Sequence, residues 1–144
     1  MKTTFKKNLN KADKKWYIID AKDQVLGKVA VEAAKILRGK HNVDFVPHLD
    51  DGDYVVIINA AHYKVTGKKL DQKNYYRHSG KLGNLKEIPL KRMQEKHPLK
   101  AMQSAIAGMI PANRMKKPIL AKLKLFADAD HEHKSQKPIE LKLS

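Results

Sequence analysis

Several short stretches of this sequence combine residue types capable of chemistry. "VTGKK", Val65 to Lys69, has the ending of a phosphate-binding loop. Such a loop needs G-x-x-x-x-G-K-[ST], so that successive backbone N–H groups ring the phosphates and a hydroxyl holds magnesium. Here the first glycine is missing and Lys69 stands where the hydroxyl belongs, so nucleotide hydrolysis is not expected. "DAKDQVLGK" has one glycine where a dinucleotide fingerprint needs three. "HEH", His131 to His133, could chelate a metal, and His41 and His48 bracket a loop, yet no third ligand or supporting shell is evident. "DDGD", Asp50 to Asp53, lacks the alternating spacing of a calcium loop. Acidic turn residues ahead of an apolar run are instead expected to hydrogen-bond the backbone. Ser79 and Ser104 have no nucleophile-elbow context. The expectation is no catalytic residue, no cofactor and no metal.

The basic residues form a different kind of constellation. "LRGKH" places Arg38, Lys40 and His41 together, and His48 follows in the same loop. "TGKK" and "KNYYRHSGK" add Lys68, Lys69, Lys73, Arg77, His78 and Lys81. Lys86, the "NRMKKP" stretch with Arg114, Lys116 and Lys117, and Lys122 complete the candidate set. Most of these fall in turns or at element ends, where long cationic side chains and free N–H groups can meet phosphate oxygens. Tyr75 and Tyr76 sit inside one cluster, where a ring could stack on a splayed base or a ribose; in a strand they face opposite ways, so at least one is expected in the core, and Tyr76 is the RNA-binding candidate. With no recognition helix or ribonucleoprotein aromatic signature in view, recognition by shape and backbone is expected.

These loops need a scaffold. "WYIID" reads as a short buried strand. The next segment, "LGKVAVEAAKILRGK", places Leu26, Val29, Ala30, Ala33, Ile36 and Leu37 at three- and four-residue spacing, which predicts a helix with one core-facing stripe. Lys28, Glu32 and Lys35 fall on the outer face, Arg38 closes the last turn where a cation suits the dipole, and Gly39 predicts a left-handed stop. "YVVII" is unbroken in its apolar character, as a strand covered on both faces of a parallel sheet should be. A brief strand is expected near Tyr63 to Thr66, and another strand or an ordered loop at "KNYYRHSG". Two helical pieces are expected to divide at Pro98, which suits the first turn of the second. Leu99, Met102, Ala105, Ile106 and Met109 form the stripe of that second piece. A last strand is expected at about Leu123 to Ala127, and the remaining tail reads as extended and polar, ordered only against a partner.

Length and charge agree. At 144 residues the chain is sized for one domain, and the expected organisation is a basic N-terminal extension over 1–15, a single α/β domain over 16–127 and an extended tail over 128–144. The class is α/β, three layers as α/β/α, around a small, mostly parallel four-stranded sheet. No cysteine is present, which excludes disulfides and thiolate chemistry and fits a reducing compartment. No apolar run approaches the roughly 20 residues of a membrane helix, and neither a secretory signal nor a transit peptide is expected at the N-terminus. Net charge is +15, and it is unevenly placed. Residues 1–15 hold six lysines against one acid, 16–66 hold six basic against seven acidic residues, and 67–144 hold eighteen against seven. A near-neutral segment between two cationic ones suggests a polyanionic partner.

The stretches "WYIIDAKDQVLGKVAVEAAKILRGKH", "FVPHLDDGDYVVIINA", "KVTGKK", "YYRHSG", "AIAGMIP" and "KLKLFA" stand in the order seen in bacterial ribosomal protein L13, and from Trp16 to about Pro138 the chain resembles that family. The resemblance implies an α/β/α protein of the large ribosomal subunit that binds large-subunit ribosomal RNA, lies beside other large-subunit proteins in the cytoplasm, and acts early in assembly. It implies no enzymatic activity and no homo-oligomer. Two departures stand out. "KLGN", Lys81 to Asn84, replaces the family's Tyr-Pro-Gly-Gly turn, and "MKK", Met115 to Lys117, replaces Leu-Gly-Arg. Two other readings remain open on residues alone: a small enzyme acting on a phosphorylated substrate, with His48 as its best acid–base candidate, and a free RNA-binding regulator.

Overall fold

The structure is a computed structural model describing residues 14–43 and 45–143. Most of the expected N-terminal extension therefore lies outside the described residues. In chain order the elements are β1 (Trp16–Asp20), α1 (Leu26–Leu37), β2 (Tyr54–Ile58), α2 (Lys69–Gln72), β3 (Asn74–His78), β4 (Leu85–Pro89), α3 (Leu90–Lys96), α4 (Pro98–Gly108), α5 (Lys116–Ala121), β5 (Leu123–Leu125) and β6 (Ile139–Leu141). A 3-10 turn, Lys134–Gln136, precedes β6.

Four strands form one sheet in the order β5-β2-β1-β6, with every neighbouring pair parallel. β1 and β2 run in full register from Trp16 against Tyr54 to Asp20 against Ile58. The α/β class and the parallel four-stranded sheet are as expected, but the membership differs. Tyr63 to Thr66 contributes only a bridge between Val25 and Lys64. The fourth strand is β6, from the segment read as a polar tail. Three residues flanked by lysines and a proline carry no periodic signal, and an edge strand of that length is held by its pairing with β1 more than by propensity.

One face of the sheet, with Ile19, Val55 and Ile57, packs against α1, and α4 and then α3 continue the same buried cluster behind it. All six stripe residues of α1 are buried, and Ala34 joins them. Each Leu, Ile or Val so buried contributes on the order of 1.5–3 kcal/mol relative to exposure. Glu32 and Lys35 pair on the outer face at 3.7 Å. In α4, Met102 and Ile106 are buried, Leu99 and Ala105 are half-buried, and Met109 remains 39 % exposed just beyond the last turn. Pro98 occupies the first turn of α4, which α3 reaches through His97. On the other face Trp16 stacks on Tyr54 with 4.4 Å between ring centroids. His133 lies 4.9 Å from Trp16 and 5.8 Å from Phe126, and His131 sits 6.2 Å from Phe126. The two histidines of "HEH" are thus members of a ring cluster on the sheet.

"KNYYRHSG" is a strand, but not of this sheet. β3 and β4 form a separate antiparallel ribbon, with Asn74 opposite Pro89 and His78 opposite Leu85. Tyr75 packs on the core and Tyr76 stays 63 % exposed, the division that strand alternation demands.

Candidate nucleic-acid interface

The geometry starts at the end of α1. Arg38 is the C-terminal cap, with its N–H bonded to the carbonyl of Ala34, and Gly39 turns the chain with φ of 78°. The reversal drives the chain back against "DDGD". A Cβ on Gly39 would lie 2.8 Å from the backbone of Asp51, and one on Gly52 would overlap the Leu37 carbonyl at 1.7 Å. Only glycine permits this approach at either position. Asn42 Nδ2 donates to the carbonyl of Asp51 at 3.0 Å. His41 and Asp53 meet at 2.7 Å between Nε2 and Oδ2, and the other Asp53 oxygen accepts the Lys15 N–H at 2.9 Å. The basic loop and the acidic turn are packed back to back, and the acids hold the backbone as expected.

Beneath that contact lies an ion pair, buried at its lysine end and half-buried at its carboxylate, that sequence reasoning missed. Lys122, only 4 % exposed, directs its ammonium at the Asp50 carboxylate and also donates to the carbonyls of Leu37 at 3.1 Å and Gly52 at 2.8 Å. Lys14 approaches the second Asp50 oxygen at 3.1 Å. Burial pushes the Lys122 amine below the ordinary lysine value, and the neighbouring Asp50 charge opposes that shift. Burial alone would raise the Asp50 carboxyl; its bonds to Lys122 and Lys14 outweigh this and hold it below the usual range. Lys122 was expected at the RNA surface. Its charge is consumed inside, tying the start of β5 to the end of α1, and the interface is drawn without it. No local signal marks the pair, because its members are 72 residues apart.

The other candidates are placed differently. Lys40, His48, Lys68, Lys69, Lys73, Arg77, His78, Lys81, Lys86, Arg114 and Lys117 are exposed, and Arg38 and Lys116 are half-exposed. Among the described residues, no carboxylate lies within ion-pair distance of any lysine or arginine in this group. Arg38 lies 5.9 Å from the Phe45 ring, and Lys73 lies 5.5 Å from the Tyr75 ring, so both are steered by aromatic faces. Gly67, with φ of 66°, turns "VTGKK" so that Lys68 and Lys69 stand at the start of α2.

Two hollows gather part of the set. One of about 640 Å³ is lined by Val31, Ala34, Lys35, Arg38, Lys40 and Met109. A second of about 460 Å³ includes Lys69, Lys73, Thr66 and Ser104, and shares Met109 with the first. The cations at the end of α1 and those of the "VTGKK" turn therefore border two hollows that meet at Met109, just beyond the end of α4. Lys35 lines the first hollow although it reads in sequence as a residue of the outer helix face; its spacing of three from Arg38 was the available clue. Arg77 and Lys86 share a separate hollow at the tip of the ribbon, and Arg114, Lys116 and Lys117 line none of the three.

These features define a class: a small parallel-sheet α/β domain that uses its central acids internally and, among the described residues, carries many cations without carboxylate partners on loops and element ends. The sequence matches the family described as Ribosomal protein L13 over residues 14–132, and the chain belongs to that family. It is 48 % identical over 138 residues to the large ribosomal subunit protein uL13 of Carboxydothermus hydrogenoformans, covering 96 % of each chain. Similarity to the uL13 proteins of Nitratidesulfovibrio vulgaris, 43 % over 141 residues and 98 % of each chain, and Burkholderia vietnamiensis, 45 % over 140 residues and 97 % and 99 %, is of the same extent.

Proposed function

We propose that this protein is a structural constituent of the large ribosomal subunit, holding large-subunit ribosomal RNA through its basic loops and supporting early subunit assembly. It works in the cytoplasm within the ribosome, beside neighbouring large-subunit proteins, and performs no catalysis. One observation carries the reading: the exposed lysines and arginines of the α1 end, the "VTGKK" turn, the ribbon and the α5 start have no carboxylate partners among the described residues, whereas Asp50 and Asp53 are engaged inside. Unneutralised charge on a rigid body costs self-repulsion that a polyphosphate relieves, with release of its counterions as a further driving force. Kinship with proteins named for the large subunit supports the choice of RNA.

Ribosomal particles isolated from the source cells at rising salt test it. The chain should sediment with the large subunit and leave only at high ionic strength. Recovery in the soluble fraction at low salt would favour the free regulator, and turnover of a phosphorylated metabolite by the isolated chain would favour the enzyme.

A further inference from the structure

The register of the β3–β4 ribbon places Arg77 directly opposite Lys86. Both are exposed, and among the described residues neither has a carboxylate within ion-pair distance. Like charges directly opposite in an antiparallel pair destabilise it. The acid that could relieve them, Glu87, is adjacent in sequence to Lys86 and so projects from the other face of the ribbon. There its carboxylate accepts from Asn74 Nδ2 and from the Tyr76 hydroxyl at 3.2 Å.

The turn beyond this pair is built to present donors. Arg77, Ser79, Asn84 and Lys86 line a hollow of about 210 Å³. Asn84 Nδ2 donates to Ser79 Oγ at 2.7 Å, and the Lys81 N–H reaches the same oxygen at 3.5 Å. Ser79 Oγ is thus an acceptor within the turn, which leaves its hydroxyl proton for an acceptor outside. Gly80 and Gly83, with φ of 91° and 74°, hold the turn in a shape that side chains resist. Arg77, Lys86 and Ser79 thus border one hollow whose lining includes no carboxylate.

We propose that the ribbon tip is a clamp for a single backbone phosphate of RNA, closed by Arg77 and Lys86 from opposite strands with Ser79 as a third donor. The clamp rests on the RNA-binding reading above and assigns it a subsite. Binding would turn a cross-strand repulsion into a bridged arrangement, stiffening the ribbon only when RNA is present.

Lys86→Glu in the full chain tests this, with Lys100→Glu, an equal charge change on an exposed helical position, as the reference. In the free protein Lys86→Glu should raise the melting temperature by about 2–4 °C, since repulsion becomes attraction. Its affinity for transcribed large-subunit rRNA should fall about tenfold further than that of Lys100→Glu, with a log–log salt slope shallower by about one. Lys86→Gln should give the same two changes at smaller size, which keeps the test valid if the charge reversal disturbs folding. Equal weakening by Lys86→Glu and Lys100→Glu, while the unaltered protein binds rRNA with a steep salt dependence, overturns the clamp and leaves the RNA reading standing. Failure of the unaltered protein to bind rRNA overturns both. Inorganic phosphate titrated against the ¹⁵N-labelled chain distinguishes the source of the anion. Weak, saturable shifts at Arg77, Ser79, Asn84 and Lys86 that rRNA displaces support the clamp; binding that rRNA cannot displace would assign the hollow to free phosphate instead.

Discussion

Lys122 and Asp50, 72 residues apart in sequence, are ion-paired in the space between the end of α1 and the start of β5. The pair separates two uses of cationic charge in one molecule. Lys122 and Lys14 are cross-links of the fold; the lysines of the "VTGKK" turn and the ribbon are surface charge. Substitution should therefore cost stability in the first group and RNA affinity in the second.

Asp50→Asn should cost about 2 kcal/mol in urea unfolding at neutral pH. Removing one partner of a buried pair typically costs roughly 3–5 kcal/mol; the lower figure reflects the 27 % exposure of the Asp50 side chain and the two carbonyls that Lys122 retains. The same variant, refolded, should keep the rRNA salt slope of the unaltered protein. A changed slope with unchanged stability would place Asp50 at the RNA surface.

Acid should erase that difference. The Asp50 carboxyl is lowered in the folded protein from its ordinary 3.8, so its contribution is fully present above that value and is lost as pH falls through the lower folded one. The Lys122 amine is lowered as well, which is a cost to the folded state at neutral pH that fades only as pH rises toward 10.5. The gap in urea midpoint between the unaltered protein and Asp50→Asn should consequently narrow as the pH drops below about 4. A gap that stays constant down to about pH 2 would show that the carboxylate charge does not stabilise the fold.

Gly52→Ala should destabilise by about 3 kcal/mol or more, because the added carbon would collide with the Leu37 carbonyl and force α1 away from the turn before β2. Thermal melting checks it. Gly67→Ala, whose new carbon meets nothing within 4 Å, should cost only the strain of a left-handed backbone, about 1 kcal/mol. Equal costs would mean that Gly52 approaches the Leu37 carbonyl less closely than the structure shows.

Arg38→Ala should weaken rRNA binding roughly threefold to tenfold at moderate salt, the loss of one charge-assisted phosphate contact, and leave the melting temperature within about 2 °C. Arg38 caps α1 through its backbone, which alanine retains. Unfolding of this variant would make Arg38 a structural residue.

The parts of the fold set by local pattern were legible in the sequence. The α1 stripe, the stop at Gly39, the division at Pro98 and the buried "YVVII" strand each follow from spacing or from one residue's backbone preference. What escaped was set by distant partners. β6 exists because β1 offers an open edge, the rings of His131 and His133 find Trp16 and Phe126 across the sheet, and Lys122 is buried by carbonyls from two other segments. The site divided along the same line. Lysines beside glycine turns were read as surface and are; Lys122, beside a strand, was read as surface by composition and is not. Lys35 was missed because helical spacing gives its face but not that α4 ends alongside.

The most direct measurement is the salt dependence of binding between this chain and transcribed large-subunit rRNA, compared with that of a Lys68→Ala/Lys69→Ala double variant. Log–log linearity with a steep slope is expected for the unaltered protein and a slope shallower by roughly 1.4–1.8 for the double variant, with both melting curves coincident. Identical slopes, or affinity indifferent to salt, would contradict a surface that works by neutralising phosphates.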